Sequence, residues 1–217
     1  MKALLMRASI RTQAGKSVMA ETRPGLSRPR RTGGDGNPEV FCADEQVAVS
    51  VDLGRWQTLA LDVLESEGVR GAAELTVVYV DEETMQQLNA QYMGNNYATD
   101  VLAFPLDAVE ATRTPGPGAL TKGPDKNEFD IADLPLLLGD VVICPAVAVK
   151  QAPFHAGSEE DEMALLLVHG ILHVLGNDHD TPDAAIAMQA LERKHLEAFH
   201  WHATAPNIFR HVPEVKQ

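Results

Sequence analysis

Four short segments that are rich in apolar and β-branched residues predict strands, and the first of them alternates between apolar and polar positions. The four segments are QVAVSVD at 46–52, ELTVVYVD at 74–81, TDVLAFP at 99–105 and GDVVICP at 139–145. All contain β-branched residues, and the third ends at Pro105, which has no backbone N–H to extend a ladder. Each segment therefore has the length and composition of one strand in a small sheet.

Apolar residues recur at spacings of three and four between and after these segments, which predicts helices. The predicted helices cover residues 53–67, 82–93, 158–176 and 183–199. The order β-α-β-α-β-β-α-α predicts an α+β fold of mixed α/β character. We expect a single small four-stranded mixed sheet packed with helices.

The chain divides into one domain with a basic segment before it and a short tail after it. Residues 1–40 are rich in Arg, Pro and Gly, which predicts a disordered extension, either dispensable or a nucleic-acid-binding arm. The single domain covers residues 41–200. Within it, the polar stretch 107–137 contains several Pro and Gly residues and is predicted to be a flexible insertion loop. Residues 201–217 form a weakly patterned C-terminal tail.

Charge is distributed unevenly along the 217 residues. Residues 1–38 contain eight of the 18 Lys and Arg and two of the 31 Asp and Glu, a net charge of +6, so the remainder carries −19. Phosphate contacts need Lys and Arg, so a nucleic-acid role must depend on a local patch or a partner. No apolar run approaches the roughly 20 residues that span a membrane. Cys42 and Cys144 form no CxxC pair, which favours a cytoplasmic protein without disulfides.

Three of the eight histidines fall within the eleven residues HGILHVLGNDH, from His169 to His179. His169 and His173 are four apart, so a helix projects both from one face. Gly176 is suited to end that helix in a left-handed conformation, and the reversal brings His179 toward the same point. Three imidazole ligands with a fourth position open are typical of a catalytic zinc site. The sequence therefore predicts one zinc ion at the end of a central helix, held by these three histidines.

The residue after the first histidine separates two classes of zinc enzyme. Zinc peptidases with this histidine spacing carry Glu at that position as the general base. Here the residue is Gly170, so the group that activates water in those enzymes is absent. Peptidase activity is therefore disfavoured, while hydrolysis of another bond remains feasible at a zinc site with an open position.

Each of the charged residues near the histidine motif has two possible interpretations. Asp178 and Asp180 flank the third histidine, where they either orient a ligand imidazole or are solvated loop acids. Lys150, Arg193 and Lys194 are the basic residues on either side of the motif, and they either contact phosphate or lie on solvated surface.

Three segments together resemble one protein family. HGILHVLGNDH is similar to the signature of the YbeY family, bacterial rRNA maturation factors described as zinc-dependent endoribonucleases. TDVLAFP after LNAQYMGNNYA, and LGDVVICP, resemble two further motifs of that family. The resemblance covers roughly residues 45–200, in the family's order, and excludes the basic start.

The resemblance implies a compact fold with His169, His173 and His179 on zinc in a cleft, acting on single-stranded RNA. It implies a role in maturation of the 3′ end of 16S rRNA and in ribosome quality control. The implied partners are rRNA and the small ribosomal subunit with its proteins. Thr99 and Asp100 match the family's Thr-Asp pair beside the site, which makes Asp100 a candidate catalytic residue. From the residues alone, an Asp at a strand start also fits a turn hydrogen bond.

The sequence departs from the family pattern at two positions near the site. Met93 follows Tyr92 where many members have Arg, which removes a charge-assisted phosphate contact. Asn177 stands where the signature often has Tyr, which removes a ring suited to stacking. These departures keep open the alternative of a non-catalytic zinc-containing ribosome-assembly factor, whose acidic body would meet basic ribosomal proteins. The sequence gives no oligomeric state.

Overall fold

The computed structural model describes residues 36–106 and 135–209. The strands are β1 (Pro38–Asp44), β2 (Ala73–Tyr79), β3 (Val101–Pro105) and β4 (Leu136–Ile143). The helices are α1 (Leu53–Ser66), α2 (Glu82–Tyr92), α3 (Pro145–Gln151), α4 (Glu159–Val174) and α5 (Pro182–His195). A 3₁₀ turn (Ala152–Phe154) follows α3, and a π-helical turn (Leu196–His200) follows α5.

The four strands form one mixed sheet in the order β1-β2-β4-β3, which confirms the predicted fold class. β1, β2 and β4 are parallel neighbours, and β3 pairs with β4 in antiparallel orientation at the edge. The connection from β1 to β2 runs through α1, as a parallel pair requires. β3 is therefore an edge strand. It lies beside β4, which precedes the helix that carries His169 and His173, α4.

The first strand was predicted in the wrong place. QVAVSVD is a loop, and the strand that pairs with β2 is PEVFCAD at 38–44. The side chain of buried Gln46 explains the loop, because it donates to the carbonyl of Val49 at 2.7 Å and accepts from the Val49 N–H at 2.9 Å. A side-chain amide thus satisfies the backbone groups that a neighbouring strand would otherwise pair.

The predicted boundaries also needed correction at other points. Strand β1 begins at Pro38, three residues before the expected domain start at Phe41. Leu136 and Leu137, assigned to the insertion loop, belong to β4. Residues 107–134 of that loop, and residues 1–35 of the extension predicted to be disordered over 1–40, lie outside the described residues. Helix α3 was not predicted, because its seven residues are too few for a helical period to stand out.

Helices cover both faces of the sheet. On one face α1 and α4 pack against side chains that include Leu75, Val77 and Val141. On the other face α2 packs through Met85 and Leu88 against a smaller apolar cluster. Helix α4 is the central one, with 12 of its 16 residues buried. Neither it nor any other helix in the described ranges is both long and apolar enough to cross a membrane.

Residues beyond the last helix return to the start of α4. The Trp201 indole N–H donates to Asp161 Oδ1 at 2.5 Å, and His200 Nε2 lies 2.8 Å from the same oxygen. The Trp201 ring meets Phe209 edge-on at 4.8 Å between centroids. The first part of the predicted tail therefore anchors the N-terminal end of α4, opposite the end that carries the histidines.

Candidate metal centre

Gly170 lets helix α4 lie directly on the sheet. A Cβ atom at this position would come within 2.5 Å of Val141 Cγ1 and 3.4 Å of Val101 Cγ2. Any side chain here would push the helix away from β3 and β4. The close approach places His169 and His173 beside β3, so that both histidines and the edge strand line one cleft.

The end of α4 reverses the chain as the sequence predicts. Gly176 has a φ of +91°, a left-handed conformation that side chains other than glycine rarely adopt. Its N–H donates to the carbonyl of His173 at 3.0 Å, and the N–H of Asn177 donates to the carbonyl of Leu172 at 2.9 Å. These two bonds form a Schellman motif, in which the turn satisfies the last helix carbonyls. The reversal directs the chain so that His179 returns to the helix end.

The structure brings the three predicted histidines together. Their ligand atoms all lie within 4.8 Å of one another, and each side chain is half-buried. Ring centroids are 4.5 Å apart for His169 and His173, 4.9 Å for His173 and His179, and 5.6 Å for His169 and His179. Burial, together with the charge that the two neighbouring imidazoles would carry, lowers the pKa of His173 to about 4. This ring is therefore neutral at physiological pH, which is the form that binds a metal.

Glu192 orients the first histidine, and sequence reasoning missed it. His169 Nδ1 lies 2.7 Å from Glu192 Oε1, and since a carboxylate only accepts, the ring nitrogen carries the proton. The other nitrogen, Nε2, is then the metal-binding atom. Glu192 is 1% exposed and lies on the buried face of α5, one turn after Met188 and one turn before His195. An acid within the apolar stripe of an amphipathic helix was the signal that could have revealed it.

The flanking acid Asp178 has a different contact. Its Oδ1 accepts the backbone N–H of His179 at 2.7 Å, so it braces the loop that carries the third histidine. Its charge also raises the pKa of His173, against the larger lowering effect of burial. Glu192 of the next helix thus orients a ligand ring through its side chain, whereas the Asp178 side chain contacts the backbone.

Asp100, the candidate catalytic residue, lies at the start of β3 and is held by several donors. Its Oδ1 accepts from the Thr99 hydroxyl at 3.0 Å and from the Val101 N–H at 2.8 Å, and its Oδ2 accepts from Gln151 Nε2 at 2.6 Å. Gln151 also donates to Glu162 Oε1 at 2.7 Å, and Glu162 is fully buried in α4. This network ties the start of β3 to α3 and α4. The two neighbours of Asp100 in sequence, Thr99 and Val101, line the cleft.

The histidines open into a cleft of about 1250 Å³ between the end of α4, strand β3 and the end of α2. The described residues that line it include no Lys or Arg. They are mostly amides, small or apolar side chains and the three histidines: Asn89, Met93, Asn95, Tyr97, Thr99, Val101, Leu102, Ala103, Pro105, His169, His173, Gly176, Asn177, Asp178 and His179. The arrangement can hold a metal ion at the three histidines, beside a cleft with room for a ligand.

Two of the basic residues considered as phosphate contacts have other partners. Lys150 Nζ lies 2.7 Å and 2.8 Å from the two carboxylate oxygens of Glu82, and the Arg193 guanidinium lies 5.9 Å from the ring centroid of Phe209. Neither these two residues nor Lys194 is among the described residues that line the cleft.

Four other histidines in the described ranges contact groups outside the cleft. His155 contacts Glu162, His195 contacts Glu67, His200 contacts Asp161, and His202 contacts the carbonyl of Ala198. His211, the eighth histidine, lies outside the described residues.

Comparison with known proteins gives a consistent set of relatives. The family model described as Endoribonuclease YbeY matches residues 40–200. A protein named Endoribonuclease YbeY from Salinispora tropica is 42% identical over 154 residues, covering 71% of this chain and 90% of the relative. A protein of the same name from Acidothermus cellulolyticus is 43% identical over 151 residues, covering 70% and 85%. One from Thermobifida fusca is 40% identical over 148 residues, covering 68% and 86%.

Among solved structures, the chain is similar to the solution structure of a protein from Thermotoga maritima. The TM-score is 0.46 at 21% sequence identity, and the match covers 75% of this chain and 90% of that one.

Proposed function

The chain belongs to the YbeY family of endoribonucleases, and from this premise we propose that it is a zinc-dependent endoribonuclease that cuts single-stranded RNA. Its role is maturation of the 3′ end of 16S rRNA and ribosome quality control in the cytoplasm. Its partners are rRNA and the small ribosomal subunit with its proteins. The observation that carries the proposal is the set of three histidines whose ligand atoms lie within 4.8 Å of one another in an open cleft.

The donor set fits one zinc ion. Imidazole nitrogens are common zinc ligands, and three of them leave a position for substrate or water. The hydrogen bond from His169 to Glu192 fixes the tautomer of that ring, as carboxylate partners do in known zinc sites. When bound at such a site, zinc supplies Lewis acidity toward a phosphoryl oxygen and lowers the pKa of water.

The residues of this chain then have distinct roles. His169, His173 and His179 hold the ion, and Glu192 keeps the proton of His169 on Nδ1, away from the ion. The amides and apolar side chains of β3 and of the α2 end form the wall along which an RNA strand lies. The Asp100 carboxylate accepts hydrogen bonds from Thr99, Val101 and Gln151 at the start of β3. These bonds favour a positioning role for Asp100 over direct contact with the reacting phosphate.

Peptidase chemistry is disfavoured on structural grounds as well as by sequence. The position that carries the general base in zinc peptidases is Gly170, and a Cβ there would meet Val141 Cγ1 at 2.5 Å. A glutamate at this position has no room between the helix and the sheet unless Val141 moves.

One observation favours a second candidate function, a ribosome-assembly factor that binds zinc without cutting RNA. The described lining of the cleft offers no Lys or Arg to a phosphate, and most of the affinity of proteins for nucleic acids comes from such contacts. An acidic protein of this kind would dock on basic ribosomal proteins through complementary charge.

The test is cleavage of a structured rRNA fragment by the purified protein and by His173→Ala, prepared in parallel. We expect cutting by the wild type alone, together with loss of bound zinc in the variant. Equal cutting by both proteins would reveal a contaminating nuclease and remove support for the proposal. If neither cuts while the wild type binds zinc, the assembly-factor function replaces it.

A further inference from the structure

We propose that Tyr97 is the stacking platform for an unpaired base of the RNA strand in the cleft, an inference that rests on the proposed ribonuclease function. Tyr97 is 59% exposed, and it lines the same cleft as the three histidines. Within the described ranges, the ring has no hydrogen-bond or aromatic partner. An exposed aromatic side chain at the wall of a nucleic-acid groove offers the surface on which bases stack.

The loop that carries Tyr97 is held in place before any ligand binds. Buried Asn89, near the end of α2, donates from Nδ2 to the carbonyl of Tyr97 at 2.9 Å, and its own carbonyl accepts the N–H of Asn95 at 3.3 Å. One turn earlier in α2, Gln86 donates to the carbonyl of Asn96 at 3.2 Å. The backbone under the ring is thus fixed on three consecutive residues, so that binding a base does not require the loop to be ordered.

Because the described lining of the cleft lacks basic residues, stacking on Tyr97 supplies a large share of the free energy of RNA binding. With no Lys or Arg among its described lining residues, the groove draws little affinity from phosphate neutralisation. Stacking of one base on an aromatic ring is worth about 5- to 150-fold in affinity and tolerates any base, because every base has a π face. A base paired in a duplex has both faces covered, so the platform selects strands with an unpaired nucleotide near the metal centre.

The test compares the wild type with Tyr97→Phe and Tyr97→Ala on short single-stranded RNAs, each carrying one abasic nucleotide at a different position. Kd is measured by fluorescence anisotropy in chelator, so that no cleavage occurs, and KM and kcat are measured with zinc. We expect Tyr97→Ala to raise Kd and KM at least about fivefold with little change in kcat, and Tyr97→Phe to retain wild-type values. Phe154→Ala is the matched control, since Phe154 is 81% exposed and is not among the described residues that line the cleft.

The abasic series identifies the base that stacks. At one position, removal of the base should weaken wild-type binding as much as Tyr97→Ala does, and it should add nothing further in that variant. If the wild type binds and cuts RNA and Tyr97→Ala equals it, the platform is refuted and the ribonuclease function stands. If the wild type binds zinc but neither binds nor cuts the RNAs, the proposed function fails, and this inference fails with it.

Discussion

The contact between Glu192 and His169 gives the sharpest prediction about the metal centre. At 2.7 Å it is a short hydrogen bond to an ionised group, and Glu192 is 1% exposed, so water screens the bond little. Carboxylates that orient a ligand histidine in this way are worth about 10- to 100-fold in metal affinity. Glu192→Gln keeps an acceptor oxygen but loses the charge, so we expect a loss of about tenfold. Glu192→Leu loses both, so we expect a loss approaching about 100-fold.

Zinc affinity is measured by competition with a chromophoric chelator, and thermal unfolding of the metal-free proteins is followed beside it. Glu159→Gln is the matched control, because it removes the same charge from an exposed site at the opposite end of α4. If both Glu192 variants remain folded and bind zinc as tightly as the wild type, Glu192 does not orient the site. If their only defect is a lower melting temperature, the carboxylate has a structural role alone.

Gly170, His195 and Asp100 give three further predictions that single variants can test. Gly170→Ala should lower the free energy of unfolding in urea by about 1–3 kcal/mol. The loss should be smaller when Gly170→Ala is made in a Val141→Ala background, and equal losses in the two backgrounds would contradict the clash. Burial lowers the pKa of His195, so as pH falls below about 6.5 the unfolded chain takes up this proton before the folded one does. Stability of the metal-free protein should therefore fall more steeply between about pH 7 and about pH 5 in the wild type than in His195→Gln, and equal slopes would refute this. Asp100→Asn places an amide against Gln151 and should lower the free energy of unfolding by about 1–3 kcal/mol without changing zinc affinity. Loss of cleavage at unchanged stability would instead favour the catalytic role that the family resemblance implied.

The parts of the fold that depend on local chemistry could be predicted from sequence. The Ser158 hydroxyl accepts the Asp161 N–H at 3.1 Å and caps α4 where the predicted helix begins, and Gly176 ends that helix in the expected left-handed conformation. The position of His169 and His173 on the same face of the helix likewise follows from their spacing of four residues. Local signals of this kind fix where a helix begins, where it ends and which side chains share its face.

The parts of the fold and of the site that depend on contacts between distant segments could not be predicted from sequence. In strand β1 only Val40 is buried, so the true strand shows weak alternation, while the better-patterned QVAVSVD leaves Val47 almost fully exposed. The choice between them depends on pairing with β2 and on the side chain of Gln46, neither of which appears as a period. Glu192 was missed for the same reason, because its partner His169 lies 23 positions away.

The compactness of the histidine motif in sequence affects how much zinc can stabilise the fold. All three donor side chains belong to eleven consecutive residues, so an unfolded chain also presents them close together. A ligand stabilises a protein only to the extent that it prefers the folded chain, and an unfolded chain that binds zinc reduces that preference. Zinc should therefore raise the melting temperature less than it would at a site of equal affinity assembled from distant segments. Glu192 reaches the motif only after α5 has packed, so the affinity gained on folding depends on this non-local carboxylate.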